Sequence, residues 1–134
     1  MAERYEKFIP GIGEEKVVTP REYLLHAGHL IQVAVTIDSS ARDAENTPTT
    51  TLRKGLCLGK ITESGKYKEY DAGASDGSQT GKCILDESVK VIDADGNAVD
   101  AIAAVVFHAF VDDEQLIGSD EGFKADVAGQ IIFP

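Results

Sequence analysis

The chain has no tryptophan, one methionine, two cysteines and four prolines in 134 residues. Two cysteines, Cys57 and Cys83, are too few for a disulfide scaffold or a zinc site by themselves. Each lies in an apolar ribbon, LCLG and KCIL, where a free thiol behaves as a small buried hydrophobe. A Cys57–Cys83 bridge is geometrically open if the ribbons are neighbours, and a reducing cytosol argues against it. No apolar run approaches the ~20 residues needed to span a bilayer. The first ten residues, MAERYEKFIP, carry charges where a secretory leader needs an apolar stretch. The expectation is a soluble protein made in the cytosol.

Bases are scarce in one place. Residues 86–126 hold two, Lys90 and Lys124, against eleven acids, while residues 23–85 balance seven against seven. The net charge of −10 is therefore concentrated in one late segment. Such a surface repels phosphate backbones, which argues against nucleic-acid binding and for a solvated, solubilising face. With 43% apolar residues and thirteen glycines, the composition fits one globular domain with a small core.

Residues 1–22 differ from the rest. Tyr5, Phe8, Ile9, Ile12, Val17 and Val18 are spread among charges, and Pro10, Gly11, Gly13 and Pro20 interrupt any period. The stretch is too apolar for an inert tail and too irregular to bury a stripe, so it reads as an extended arm that orders on a partner. Thr19-Pro20-Arg21-Glu22 has the form of a capping box, yet a helix to His26 spans only about two turns, and the extended reading is preferred.

From residue 23 onward the pattern is mainly β. LIQVAVTI (30–37) is a strand rich in β-branched residues, and 39–51 is a polar surface loop carrying Pro48. Strands follow at 56–62, 67–70 and 83–85, with a turn at Glu63–Lys66 and a loop at 71–78. Val89–Ile92 is expected to continue the sheet, and Asp95-Gly96 is a tight-turn signal. AIAAVVFHAFV (101–111) reads as a fully buried strand, although periodicity alone leaves a helix open. Ser119 is placed to cap a short helix carrying Phe123 and Val127 on one face, with Gly129 ending it before a last strand at 131–133.

Familiar chemistry is missing. GLCLGK (55–60) has three residues between its glycines where a phosphate loop needs four, and no Ser or Thr follows Lys60. Asp93-Ala94-Asp95-Gly96-Asn97 lacks a ligand and the flanking helices of a calcium loop, so a hairpin turn is favoured. His26 and His29 converge on a metal only if their segment is helical. Asp112-Asp113-Glu114 reads as a solvated turn before it reads as acid/base machinery. No catalytic residue, cofactor or metal site is nominated.

The order of motifs is more telling. Leu58-Gly59-Lys60, Gly65-Lys66-Tyr67, Asp76-Gly77-Ser78 and Ile84-Leu85 stand in a sequence that resembles the phage lambda-type head decoration proteins. VVFHAFVDDEQL resembles that family's late strand and acidic turn, and FKADVAGQIIF its closing helix, glycine and strand. The likeness covers roughly residues 20–134. Two features depart from it: the 39–51 loop is longer than the usual connection, and Cys83 stands where glycine is common.

The resemblance implies a non-enzymatic virion protein, made in the host cytoplasm and carried on the outer surface of the phage head. Its partners would be the major capsid protein and itself, as a homotrimer at local three-fold positions that stabilises the shell against internal DNA pressure. The implied fold is a compact domain of β-tulip or β-clip type (23–134) behind an extended capsid-binding arm (1–22), with Tyr5, Phe8, Ile9, Pro10, Ile12, Val17 and Val18 as the arm's contact residues. Two other classes stay open: a small metal-dependent β-domain enzyme using His26, His29 and nearby acids, and a non-viral β-rich ligand-binding or adhesion module.

Overall fold

The computed structural model describes residues 24–133. The chain is mainly β with one short helix near its C-terminus. The elements run β1 (Leu24–Ile37), β2 (Thr51–Leu52), β3 (Cys57–Lys60), β4 (Tyr67–Glu69), β5 (Gly81–Leu85), β6 (Val89–Lys90), β7 (Ala101–Val111), a 3-10 turn (Asp113–Gln115), α1 (Glu121–Asp126) and β8 (Ile131–Ile132). The arm, including Tyr5, Phe8, Ile9, Pro10, Ile12, Val17 and Val18, lies outside the described residues, as does the Thr19–Glu22 capping box.

The main sheet has the order β1-β4-β3-β5-β7-β8, and β7 also returns to β1. The first five strands therefore curl into a closed ring. Closure is lopsided. β1 and β7 pair antiparallel from Ile37↔Ala101 to Leu24↔Val111, whereas β1 meets β4 only at Ile37↔Tyr67, in parallel. The Asp38 amide donating to the Tyr67 carbonyl at 2.8 Å reinforces that single point.

Alternation along each strand divides the apolar residues between two cores, because successive side chains point to opposite faces. Inside the ring lie Ile37, Leu58, Tyr67, Cys83, Leu85, Ala103 and Val105, sealed by Leu52, Leu56, Val91 and Ile117 from the connections. On the outer face of β3, β5 and β7 lie Cys57, Ile84, Val106, Ala109 and Val111, covered by Phe123 and Val127 of the α1 region and by Ile131 of β8. The register between β1 and β7 shifts at Gln32↔Val106 and Ile31↔His108. One extra residue on β7, Phe107, makes this a bulge, and a bulge re-aims the side chains that follow it. Hence Val105 faces the inner core while Ala109 and Val111 join the outer one.

Several sequence expectations need correction. The first strand starts at Leu24, not Leu30, so the extended reading holds from that residue on. β6 does not extend the main sheet; with β2 it forms a separate two-stranded ladder, Thr51↔Lys90 and Leu52↔Val89. The late strand is not fully buried, since Ile102 is 74% exposed. The cap of α1 is Asp120 rather than Ser119. The 39–51 loop is not simply a surface insert: Ala41 and Asp43 are buried within it.

Asp43 explains that loop's order. Its carboxylate, 1% exposed, accepts from Arg53 Nε at 2.7 Å and Nη2 at 3.1 Å. Its backbone amide donates to the Thr49 carbonyl at 2.9 Å. Burial alone would raise the Asp43 pKa, but the Arg53 hydrogen bonds and charge outweigh it and hold the carboxyl below its ordinary value. A bidentate arginine is the arrangement that best satisfies a buried carboxylate.

Candidate functional site

The signature stretches are brought together as scaffold. Leu58 enters the inner core beside Cys83, its register partner, and Leu85 follows on the same face while Ile84 turns to the outer core. Tyr67 sits with its ring edge-on to Phe107 at 6.3 Å, under Lys60 Nζ at 5.9 Å from the ring centre. Lys66 Nζ reaches Asp100 Oδ2 at 2.6 Å, tying the β3–β4 turn to the start of β7.

The Leu-Gly-Lys and Asp-Gly-Ser motifs exist for one another. A Cβ at Gly59 would stand 2.5 Å from the Ser78 carbonyl oxygen and 2.7 Å from its Cα. One at Gly77 would stand 2.5 Å from the Lys60 carbonyl, and Gly77 has φ +112°. Only glycine allows so close a backbone approach and that dihedral together. The loop is then pinned over β3: Thr62 N donates to Asp76 O at 2.9 Å, and Asp71 N to Ser78 O at 3.1 Å. Ser78, fully buried, donates from N and Oγ to Asp76 Oδ1 at 3.0 and 2.6 Å. Those bonds hold the Asp76 carboxyl below its usual pKa.

A second fixing point joins the outer core to the loop after β4. Asp120 Oδ1 accepts from Phe123 N at 2.8 Å and from the Tyr70 hydroxyl at 2.9 Å. The Tyr70 ring packs edge-on against Phe123 at 5.4 Å. Partial burial, and then the Asp120 carboxylate, push the Tyr70 hydroxyl up to about 12. Phe123 also covers Gly81, whose amide donates to Asp126 Oδ2 at 2.8 Å.

The acidic residues and cysteines considered for chemistry have structural places. Asp93 Oδ1 accepts from the Asp95 and Asn97 amides at 2.9 Å each, closing a turn with Gly96 at φ +85° rather than a calcium loop. Asp112 caps the 3-10 turn, and Asp113 pairs with Lys124. Cys57 pairs with Ile84 and Cys83 with Leu58, so the thiols lie on opposite faces of adjacent strands. Neighbouring ribbons thus do not make a bridge, and burial pushes both thiols well up. The side chains of His26 and His29 lie outside what is described, while His108 is half-buried on β7 opposite Ile31. Among the described residues no group of three or more His, Cys, Asp or Glu is placed to hold a metal ion.

Sequence reasoning missed the Asp43–Arg53, Tyr70–Asp120 and Asp126–Gly81 contacts. Each joins segments through a polar group whose partner no local pattern specifies.

Among the described residues these contacts are framework, and comparison with known proteins agrees. The family model for the bacteriophage lambda head decoration protein D matches residues 15–129. The chain belongs to this family. No curated protein matches the chain individually. As a head decoration protein it is a structural component associated with the phage capsid, a role that implies no catalysis. The packed glycines, the pinned Asp-Gly-Ser loop and the two cores are then the means by which a small decoration protein keeps one shape.

Proposed function

We propose that this head decoration protein binds as trimers to the outside of the phage head, at local three-fold positions between major capsid subunits, and stabilises the shell against internal DNA pressure. The observation that carries the reading is the family match, which runs from residue 15 through the framework to residue 129. In this reading residues 1–22 are the capsid-binding arm and residues 23–134 the decoration domain. Tyr5, Phe8, Ile9, Pro10, Ile12, Val17 and Val18 supply the arm's contacts.

The physics supports such a division of labour. An extended segment that adds to a sheet edge gains main-chain hydrogen bonds, and alternate side chains choose the partner. Ordering the segment costs free energy, so a single arm binds weakly. Three arms on one trimer raise avidity by about 10²–10⁴ through effective concentration. The late acidic segment stays toward solvent, where it keeps the assembled particle soluble.

A cryo-EM reconstruction of expanded capsids saturated with the protein tests this. Three copies of the domain around each local three-fold support it. Single copies at hexamer centres would contradict it.

A further inference from the structure

Two lysines stand without a carboxylate in a chain crowded with acids. Lys66, Lys68 and Lys124 are paired with Asp100, Asp76 and Asp113. Lys60 and Lys82 have no carboxylate partner among the described residues, and both are exposed. They line one cleft of about 340 Å³ together with Thr62, Gly77, Gln79 and Thr80. Two acids, Glu63 and Asp76, line the adjoining groove instead, and Asp76 is held by Ser78 and Lys68.

The backbone puts Lys82 in this position. The β3–β5 register runs from Leu58↔Cys83 to Gly59↔Gly81, so Lys82 is the extra residue of a bulge. It stays exposed between buried Gly81 and Cys83. A bulge re-aims a side chain, and here it sets an ammonium group in the same cleft as Lys60. Like charges sharing a cleft repel one another, and a carboxylate placed between them relieves that repulsion.

The chain itself carries the complementary charge. Residues 86–126 hold eleven acids against two bases. Within that segment Asp95 and Glu114 are exposed, with no partner for their carboxylates among the described residues. The Glu121 carboxylate, 95% exposed, comes only within 3.8 Å of Lys124. A closed ring of three identical chains is built from heterologous contacts, in which one patch of each chain meets a different patch of the next. Chains of charge −10 set side by side also repel unless opposite charges face each other across the contact. The lysine cleft and the acidic segment are such a pair of patches.

We propose that in the trimer of the reading above, on which this inference rests, the Lys60–Lys82 cleft of each copy receives a carboxylate from residues 86–126 of the next. Asp95, Glu114 and Glu121 are the carboxylates exposed enough to enter it. The contact runs head to tail around the ring, while the rest of the segment stays toward solvent. Exposed pairs of this kind are weak singly, and they act mainly by fixing register and excluding wrong orientations.

Cross-linking on expanded capsids, decorated with an equal mixture of isotope-labelled and unlabelled protein, tests this. A carbodiimide joins an amine to a carboxylate only where the two touch, and peptide mass spectrometry reads which residues are joined. The expected product links Lys60 or Lys82 to Asp95, Glu114 or Glu121, with labelled peptides joined to unlabelled ones. The double reversal Lys60→Glu, Lys82→Glu should weaken capsid binding about tenfold at low salt, and less at ~1 M salt, where surface charges are screened. Links formed only within one copy, or only to the major capsid protein, overturn the proposal, as does unchanged affinity of the double reversal. If circular dichroism shows that variant misfolded, the cross-link pattern of the unaltered protein decides. Decorated capsids that give no such link remove this contact and leave the decoration reading standing, whereas capsids that bind no protein remove both.

Discussion

Replacing Gly59 by alanine puts one methyl group into the contact between β3 and the Asp-Gly-Ser loop. The new Cβ would lie 2.5, 2.7 and 2.9 Å from the Ser78 carbonyl oxygen, Cα and carbonyl carbon. All three are backbone atoms, so no rotamer change relieves the clash. The loop must back away, and it is tethered by Asp71 N to Ser78 O and Thr62 N to Asp76 O. Overpacking of this kind costs about 1–3 kcal/mol. Loosening those two hydrogen bonds adds about 1 kcal/mol each at most. The expected loss is therefore about 1–5 kcal/mol, a large fraction of a small domain's stability. Urea unfolding followed by far-UV circular dichroism measures it, since the chain has no tryptophan to serve as a probe. Gly96→Ala is the control: nothing lies within 4 Å there, and only the φ of +85° is penalised, at about 1–2 kcal/mol. A Gly59→Ala protein within about 0.5 kcal/mol of wild type would refute the claim that the two glycine motifs are coupled by packing.

Three further outcomes are expected. Phe123→Ala, which empties the centre of the outer core, should cost about 3–5 kcal/mol in the same assay; a loss under about 1 kcal/mol would mean that α1 is not packed as described. Asp43→Asn should destabilise the protein at neutral pH, and its deficit should shrink as pH falls below about 4. The sign follows from the lowered folded pKa of Asp43: stability from the ion pair is present above the unfolded value and is lost as the folded carboxyl protonates. A pH-independent deficit would contradict it. Cys57 and Cys83 should resist a thiol reagent in the native protein and react at the rate of unfolding, because both are buried and free; labelling at the rate of an exposed thiol would show the outer core to be open if Cys57 reacts and the inner core if Cys83 does.

The long strands could be read from composition. LIQVAVTI and AIAAVVFHAFV hold enough β-branched residues to declare themselves, and Asp95-Gly96 announced its turn. β2 could not be read, because two residues carry no period; β6 was expected within Val89–Ile92, but its pairing with β2 instead of the main sheet is decided by distant packing. The cap of α1 went to Asp120 although Ser119 is an equally good capping residue. What separates them is the Tyr70 hydroxyl, fifty positions away in the chain and also held by Asp120. Asp43 looked like one more polar loop residue until Arg53 closed over it. The bulge at Phe107 is equally silent, since an uninterrupted apolar run does not reveal where its faces exchange.

Identity was more legible than mechanism. The ordered motifs around Gly59 and Gly77 resemble the decoration family because a backbone contact demands both glycines, so they identify the framework. Tyr5, Phe8, Ile9, Ile12, Val17 and Val18, the contact residues of the proposed arm, have no period of their own, so in that reading a partner would fix their contacts. Sequence alone therefore suggests an arm without naming what it would join.

Co-sedimentation with expanded, empty capsids tests the central claim most directly, using the full chain and a chain lacking residues 1–20 whose fold is checked by circular dichroism. The full chain should pellet with the capsids, saturating at a fixed ratio to the major capsid protein, while the folded deletion stays in the supernatant. Full-affinity binding by the deletion would contradict the arm as the binding element, and failure of the full chain to bind would contradict decoration itself.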